Sequence, residues 1–233
     1  MRKKVLIISF SPIARDPRVL RQIEFLIESY EITIFGFGPK PDYKGINYYK
    51  IVHKKLGLKE KSLIALKSLF RMFENIYWSS DYIKQTKTIL SNNTDYDVII
   101  ANDLEALPLS TNLYKDKPII FDAHEFYPGQ FTDKLLFRFF MIPMNKYFCK
   151  NYIKKASAVI TVCKGISERY EHLYGIQPYV ITNAPNYYEL QPKPINKNNI
   201  RLVHHGIAME SRKIEKMIHV MKYLSKNYYF DLY

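Results

Sequence analysis

Residues 121–128 read FDAHEFYP and directly follow the apolar run KPII. Asp122 and Glu125 flank His124 at a point where a buried strand runs out into a loop. A histidine between two carboxylates can move a proton or hold a hydrogen bond in a fixed direction. A lone histidine at a strand end also serves often as a structural hydrogen-bonding group. Three further polar clusters stand after apolar runs: SPIARDPR (11–18), ANDLEALP (101–108) and HHG (204–206). In ANDLEALP, Asp103 and Glu105 lie two apart, a spacing open to a metal. The plainer reading makes Asp103 the cap of a helix LEALPLSTNL.

The elements that must carry these clusters alternate regularly. Strands are predicted at 4–10, 31–37, 46–52, 97–103, 118–123, 157–162 and 178–182, several nearly all apolar and rich in Val and Ile. Such runs suit strands buried on both faces of a parallel sheet. Helical patterns separate them. The clearest has Asp16 as N-cap, Pro17 at the first helical position, and Val19, Leu20, Ile23, Leu26 and Ile27 on one face. Strand and helix in alternation imply βαβ units and an α/β, Rossmann-like, doubly wound parallel sheet. In such sheets ligands gather beyond the carboxyl ends of the strands, where all four clusters fall.

Composition changes over 183–199, which holds three prolines and five asparagines and reads as a linker. Residues 1–183 are therefore expected to form one domain, 184–199 a linker, and 200–233 the start of a second domain. That second part is predicted as strand 200–206, helix 211–227 and a final strand at YYFDLY. A fragment of that length is too small to close a doubly wound domain, so the second domain is expected to be incomplete.

Charge narrows the partners. Thirty-five basic residues against 22 acidic ones leave a net charge of +13, which favours an anionic partner. Residues 50–71 carry seven Lys or Arg and one acid, and 134–155 carry six and none, both mixed with bulky apolar residues. That mixture suits a basic amphipathic helix on an anionic membrane surface. Ordinary surface helices with lysines turned to water are the alternative. No nucleic-acid motif accompanies the charge, so nucleic acid is not expected as a partner.

No run reaches the roughly 20 apolar residues of a membrane span, and Val5 to Phe10 is too short for the core of a leader. The two cysteines, Cys149 and Cys163, form no metal-binding spacing or disulfide framework. A cytoplasmic protein, peripheral on the inner face of the plasma membrane, is expected. There is no GxGxxG, no P-loop and no GxSxG elbow, which leaves nucleotide hydrolysis of the common plan and Ser/His/Asp chemistry unsupported.

Read in order, DPRVLRQIEFL, DVIIANDLEALP, FDAHEFYP, ASAVITVCKGISERY, VITNAPN and IRLVHHGIAMESRKIEKMI resemble the successive landmarks of glycosyltransferase family 4, retaining enzymes of the GT-B fold. The resemblance spans essentially the whole chain. It implies an acceptor-side N-terminal domain and the start of a donor-side domain. It also implies a nucleotide-sugar as donor substrate, no other cofactor and no metal, and a glycan or lipid-linked acceptor in cell-surface polysaccharide or glycolipid assembly. By position, His124 matches the family's cleft histidine, which orients substrate and stabilises developing charge. Asp103 and Glu125 match cleft acids. Asp16 and Arg18 match a first helix whose N-terminus can favour an anion. Gly206, Arg212 and Lys213 resemble the stretch that grips the donor diphosphate.

Two departures stand out: Gly206 is followed by Ile207, where the family often has arginine, and the acidic motif that holds the donor sugar is not present. Competing readings are a non-catalytic glycan- or membrane-binding module, and half of a split enzyme whose donor domain comes from a partner chain. A sugar-nucleotide epimerase of the same fold is a third, which the DPRV and DAHEFYP landmarks oppose.

Overall fold

The strand β1, Lys4–Pro12, carries the run Val5–Ile8, which is buried throughout. Its side chains alternate: Leu6 and Ile8 enter one apolar cluster, Val5 and Ile7 the other, on opposite faces of the sheet. The computed structural model describes residues 2–92, 95–130, 132, 134–185 and 187–233.

Around β1 stand β2 (Glu31–Phe37), β3 (Ile46–Lys50), β4 (Val98–Asn102), β5 (Ile119–Asp122), β6 (Ala158–Thr161) and β7 (Tyr179–Val180). They form one seven-stranded sheet in the order β3-β2-β1-β4-β5-β6-β7, and every pairing is parallel. The strand order reverses between β1 and β4. A crevice opens at such a reversal, beyond the carboxyl ends of the strands.

Seven helices accompany this sheet among the described residues: α1 (Pro17–Leu26), α2 (Leu58–Leu69), α3 (Phe73–Ser79), α4 (Asp81–Ser91), α5 (Leu107–Leu113), α6 (Ile142–Tyr152) and α7 (Lys164–Tyr174). The expected start of α1 is present, with Asp16 accepting the Arg18 backbone N–H and Pro17 at the first helical position. Val19 and Ile23 of α1 are fully buried under β1 and β2. Gly36 allows the turn after β1 to lie on β2, because a Cβ there would stand 2.3 Å from Cγ1 of Ile13. A π-helical stretch, Phe137–Met141, leads into α6, and Pro143 occupies its first turn, where a missing N–H costs nothing.

The chain divides into Met1–Ala184 and Pro185–Tyr233. In the second unit, β8 (Ile200–His204) pairs in parallel with β9 (Tyr228–Leu232), and α8 (Ile214–Val220) lies between them in sequence. The helix expected over 211–227 is thus much shorter. Lys213 takes a left-handed conformation with φ of 48°, which interrupts the helix before Ile214, and 3-10 turns occupy Glu210–Arg212 and Met221–Tyr223.

Candidate functional site

Three chain segments leave the sheet at neighbouring carboxyl ends and bring their polar side chains together. The end of β1 gives Ser11 and the stretch after it Asp16 and Arg18; after β4 comes Asp103, and after β5, His124 and Tyr127. Asp103 is the shared partner. Its Oδ1 accepts from the Tyr127 hydroxyl at 2.9 Å, lies 3.1 Å from His124 Nε2, and stands 3.7 Å from an Arg18 guanidinium nitrogen. Its backbone is left-handed, with φ of 68°, a conformation that Asp and Asn tolerate better than most residues. The expected helix-capping role is therefore replaced. Helix α5 begins later, at Leu107, with Ala106 at its N-cap, and the Asp103 carboxylate serves the cluster.

Arg18 is held from its other side by Asp16. Two hydrogen bonds, Nε to Oδ1 at 3.1 Å and Nη2 to Oδ2 at 2.9 Å, join them, and the Ser11 hydroxyl donates to Asp16 at 2.8 Å. Burial pushes the Asp16 carboxyl up, but Ser11 and the charge and hydrogen bonds of Arg18 more than offset this and hold it below the usual range. The anion at the N-terminus of α1 is thus Asp16 itself. Behind the cluster, the Gln22 amide donates to Asn102 and Asp122, each at 2.9 Å. Asp122 is buried, and that burial raises its pKa, opposed by the charge of Arg18 and by His124 in its protonated form.

With Nε2–H directed at the Asp103 carboxylate, a neutral His124 imidazole presents Nδ1 as an acceptor. That atom is buried and has no hydrogen-bond partner among the described residues. Buried polar atoms are normally paired, so an unpaired acceptor beside a crevice fits a ligand that brings a donor.

Beside the cluster lies a cavity of about 730 Å³, with Asp103 and Tyr127 in the wall common to both. Glu105 also lines it. The surrounding protein, and secondarily the charge of Asp103, pushes the Glu105 carboxyl up to about 7, although its side chain is open to the cavity. A carboxyl with a raised folded pKa binds its proton more tightly in the native state, so stability falls as pH rises from the unfolded value of about 4.3 towards 7. Glu105→Gln is accordingly expected to stabilise the protein at about pH 8 and to change little at about pH 4; urea midpoints at the two pH values check this.

Of the residues expected from the sequence, His124, Asp103, Asp16 and Arg18 are brought together. Glu125 is not: it is exposed, its carbonyl accepts the Tyr170 hydroxyl at 2.9 Å, and its carboxylate contacts none of the cluster among the described residues. Within the second unit, Gly206 has φ of 134°, and a Cβ there would lie 2.6 Å from Arg212 Nη1. Gly206 and Arg212 are therefore neighbours, and Arg212 and Lys213 are exposed. Among the described residues no group of three or more His, Cys, Asp or Glu could hold a metal ion. Sequence reasoning missed Tyr127 and Gln22, and raised Glu105 only as half of a metal-binding pair with Asp103 rather than as a cavity acid; the only signal for Tyr127 was its place three residues after His124.

No curated protein sequence matches this chain. Solved structures do. HepE of Anabaena, in complex with UDP and glucose, is 15% identical over 99% of this chain and 60% of its own, with a TM-score of 0.61. Sucrose-phosphate synthase of Thermosynechococcus elongatus is 11% identical over 99% of this chain and 62% of its own, with a TM-score of 0.63. TarM is 11% identical over 100% of this chain and 72% of its own, with a TM-score of 0.64. At such identities the likeness shows the fold, the α/β Rossmann-like GT-B architecture, and the chain spans only about 60% of the first two. The family assignment rests on sequence: the model of Glycosyltransferase Family 4 matches residues 18–191, a stretch that holds Arg18, Asp103, His124 and Tyr127, and the chain belongs to that family.

Proposed function

We propose that this chain supplies the acceptor side, and the beginning of the donor side, of a glycosyltransferase that moves a hexose-type sugar from a nucleotide-sugar to a glycan or lipid-linked acceptor with retention. The observation that carries this reading is the buried Nδ1 of His124, unpaired among the described residues, an acceptor aimed by Asp103 and ready for a sugar hydroxyl. HepE was solved with UDP and glucose, which supports a nucleotide-sugar as the donor.

In the transfer, the acceptor oxygen forms a bond to the anomeric carbon as the bond from that carbon to the diphosphate oxygen breaks. The acceptor's proton passes to the leaving phosphate. Asp103 and Tyr127 fix the imidazole, and His124 orients a sugar hydroxyl through Nδ1. Arg212, beside Gly206, and the adjoining Lys213 meet the negative charge that the leaving diphosphate gains. The test is incubation of the protein, as its gene encodes it, with radiolabelled nucleotide-sugars and host membranes. Label should enter the glycolipid or polysaccharide fraction; no transfer from any donor would refute the reading.

The same proposal includes attachment to an anionic membrane in service of cell-surface polysaccharide or glycolipid assembly. No helix among the described residues is long and apolar enough to cross a membrane. Helix α2 exposes Leu58, Leu66 and Leu69 among lysines, and the stretch beside it exposes Leu135, Leu136 and Phe139. The two are adjacent, with the Ser68 hydroxyl 3.5 Å from the Phe140 carbonyl. Vesicles containing phosphatidylglycerol are expected to bind the protein at low salt and to release it near 1 M salt, where the Debye length is about 3 Å. Lys59→Glu with Lys61→Glu should weaken binding; retention at high salt, or equal binding to neutral vesicles, would count against the electrostatic part.

A further inference from the structure

The cavity beside His124 is larger and greasier than a sugar ring requires. Its volume of about 730 Å³ lies within the range of small-molecule sites, about 300–1,000 Å³. Leu63 and Ile64 of α2, Met141, and Met144 and Phe148 of α6 form apolar wall, while Asp103 and Glu105 stand where it meets the histidine cluster. The charges on its lining are as informative as the apolar surface. At about pH 8, four carboxylates, Glu60, Asp81, Asp103 and Glu105, outnumber Lys54 and Lys67 among the described lining residues. A phosphate or carboxylate brought inside would lose water beside a majority of like charges. A hydroxyl would meet good acceptors.

We propose that this cavity binds the apolar body of an uncharged, hydroxyl-bearing amphiphile, with the hydroxyl at the Asp103 and Glu105 end. The identity of that hydroxyl as the group that receives sugar rests on the glycosyltransferase reading; binding in the cavity does not. Asp103 links the two places, because the same carboxylate lines the cavity and orients His124. The segments that wall the cavity also carry the exposed leucines of α2 and the exposed Leu135, Leu136 and Phe139. A ligand with an apolar body therefore has an apolar, membrane-compatible surface next to its site.

The chain has seven methionines, and Met141 and Met144 line the cavity, so their methyl groups report its occupancy. Protein labelled with ¹³C at the methionine methyl groups is titrated with decanol and, separately, with decanoate. Decanol should shift the Met141 and Met144 signals saturably and leave those of Met209, Met217 and Met221, in the second unit, unmoved. Ile64→Trp, which fills the space, should abolish the shift; Leu63→Phe, a milder filling, should weaken it, and an unchanged urea midpoint, read by circular dichroism, shows that each variant folds.

At about pH 8 decanoate should bind at least about tenfold more weakly than decanol. The gap should narrow in Glu105→Gln, and in the parent protein as pH falls towards 6 and Glu105 takes up its proton. The titratable groups that line the cavity with Glu105 are Asp103 from its own loop, Asp81 from α4, Glu60 and Lys67 from α2, His53 and Lys54 from the loop after β3, and the tyrosines Tyr77, Tyr82 and Tyr127. Unmoved Met141 and Met144 signals would overturn the proposal. So would shifts that persist in Ile64→Trp, or decanoate binding as tightly as decanol. Decanol binding without any sugar transfer would leave the cavity assignment standing and remove the glycosyltransferase reading; transfer without decanol binding would do the reverse.

Discussion

Asp103→Ala is expected to lower the stability of the first unit by about 3 kcal/mol. Hydrogen bonds to a charged group contribute about 1.5–3 kcal/mol each, and Asp103 serves Tyr127, His124 and Arg18 at once. These contributions are not additive, because Arg18 keeps Asp16 and His124 can turn to water. Alanine also fits poorly at φ of 68°, where a side chain without a local polar group costs about 1–2 kcal/mol. Asp103→Asn separates the two effects: it tolerates the left-handed backbone and keeps an acceptor for Tyr127, so a loss of about 1 kcal/mol is expected. Trp78, the only tryptophan, lies in the first unit, and its fluorescence during urea unfolding reads both variants. Equal midpoints for Asp103→Ala and the parent would show that the cluster does not hold the loops together.

Asp16→Ala is expected to cost a similar amount for different reasons. The substitution removes the N-cap of α1, worth about 1 kcal/mol, and both hydrogen bonds to the Arg18 guanidinium, leaving Arg18 with Asp103 at 3.7 Å. Asp16→Asn restores the cap without the charge, and about 1 kcal/mol should return. The parent protein should show the same interaction in its acid limb. Asp16 has a folded pKa below its unfolded value of about 3.9, so its contribution is fully present above that pH and is lost as pH falls through the folded pKa. Asp16→Ala should therefore flatten the decline in stability below about pH 4, which urea midpoints across that range would reveal.

The fold was legible because the strands announce themselves. Runs such as VLII and DVII are continuous and β-branched, as double burial in a parallel sheet demands, and Asp-Pro opens α1 by local chemistry alone. Position beyond the strand ends picked out the clusters that hold Asp16, Arg18, Asp103 and His124, and the family resemblance singled out those residues within them. What local pattern cannot convey is which acid of a loop turns inward. Glu125 adjoins His124 in sequence yet is exposed, whereas Glu105, two residues after a left-handed Asp103, reaches the cavity. Nor does periodicity reveal that cavity. Its walls come from α2, α3, α4, α6, the π-helical stretch before α6 and the loops after β3, β4 and β5, which only the tertiary fold assembles. The helix expected over 211–227 failed at Lys213, where a positive φ interrupts an otherwise helical pattern.

On the proposed function, Asp103 aims at a sugar a His124 nitrogen that has no partner among the described residues. The most direct measurement compares label transfer from the productive nucleotide-sugar by His124→Ala and by the parent, each as its gene encodes it, with unfolding midpoints recorded in parallel. Loss of a preorganised hydrogen-bonding group at a transfer site costs about 100-fold or more in rate. A fall of about that size with a folded protein is the predicted result, and transfer at the parent's rate by folded His124→Ala would contradict the account.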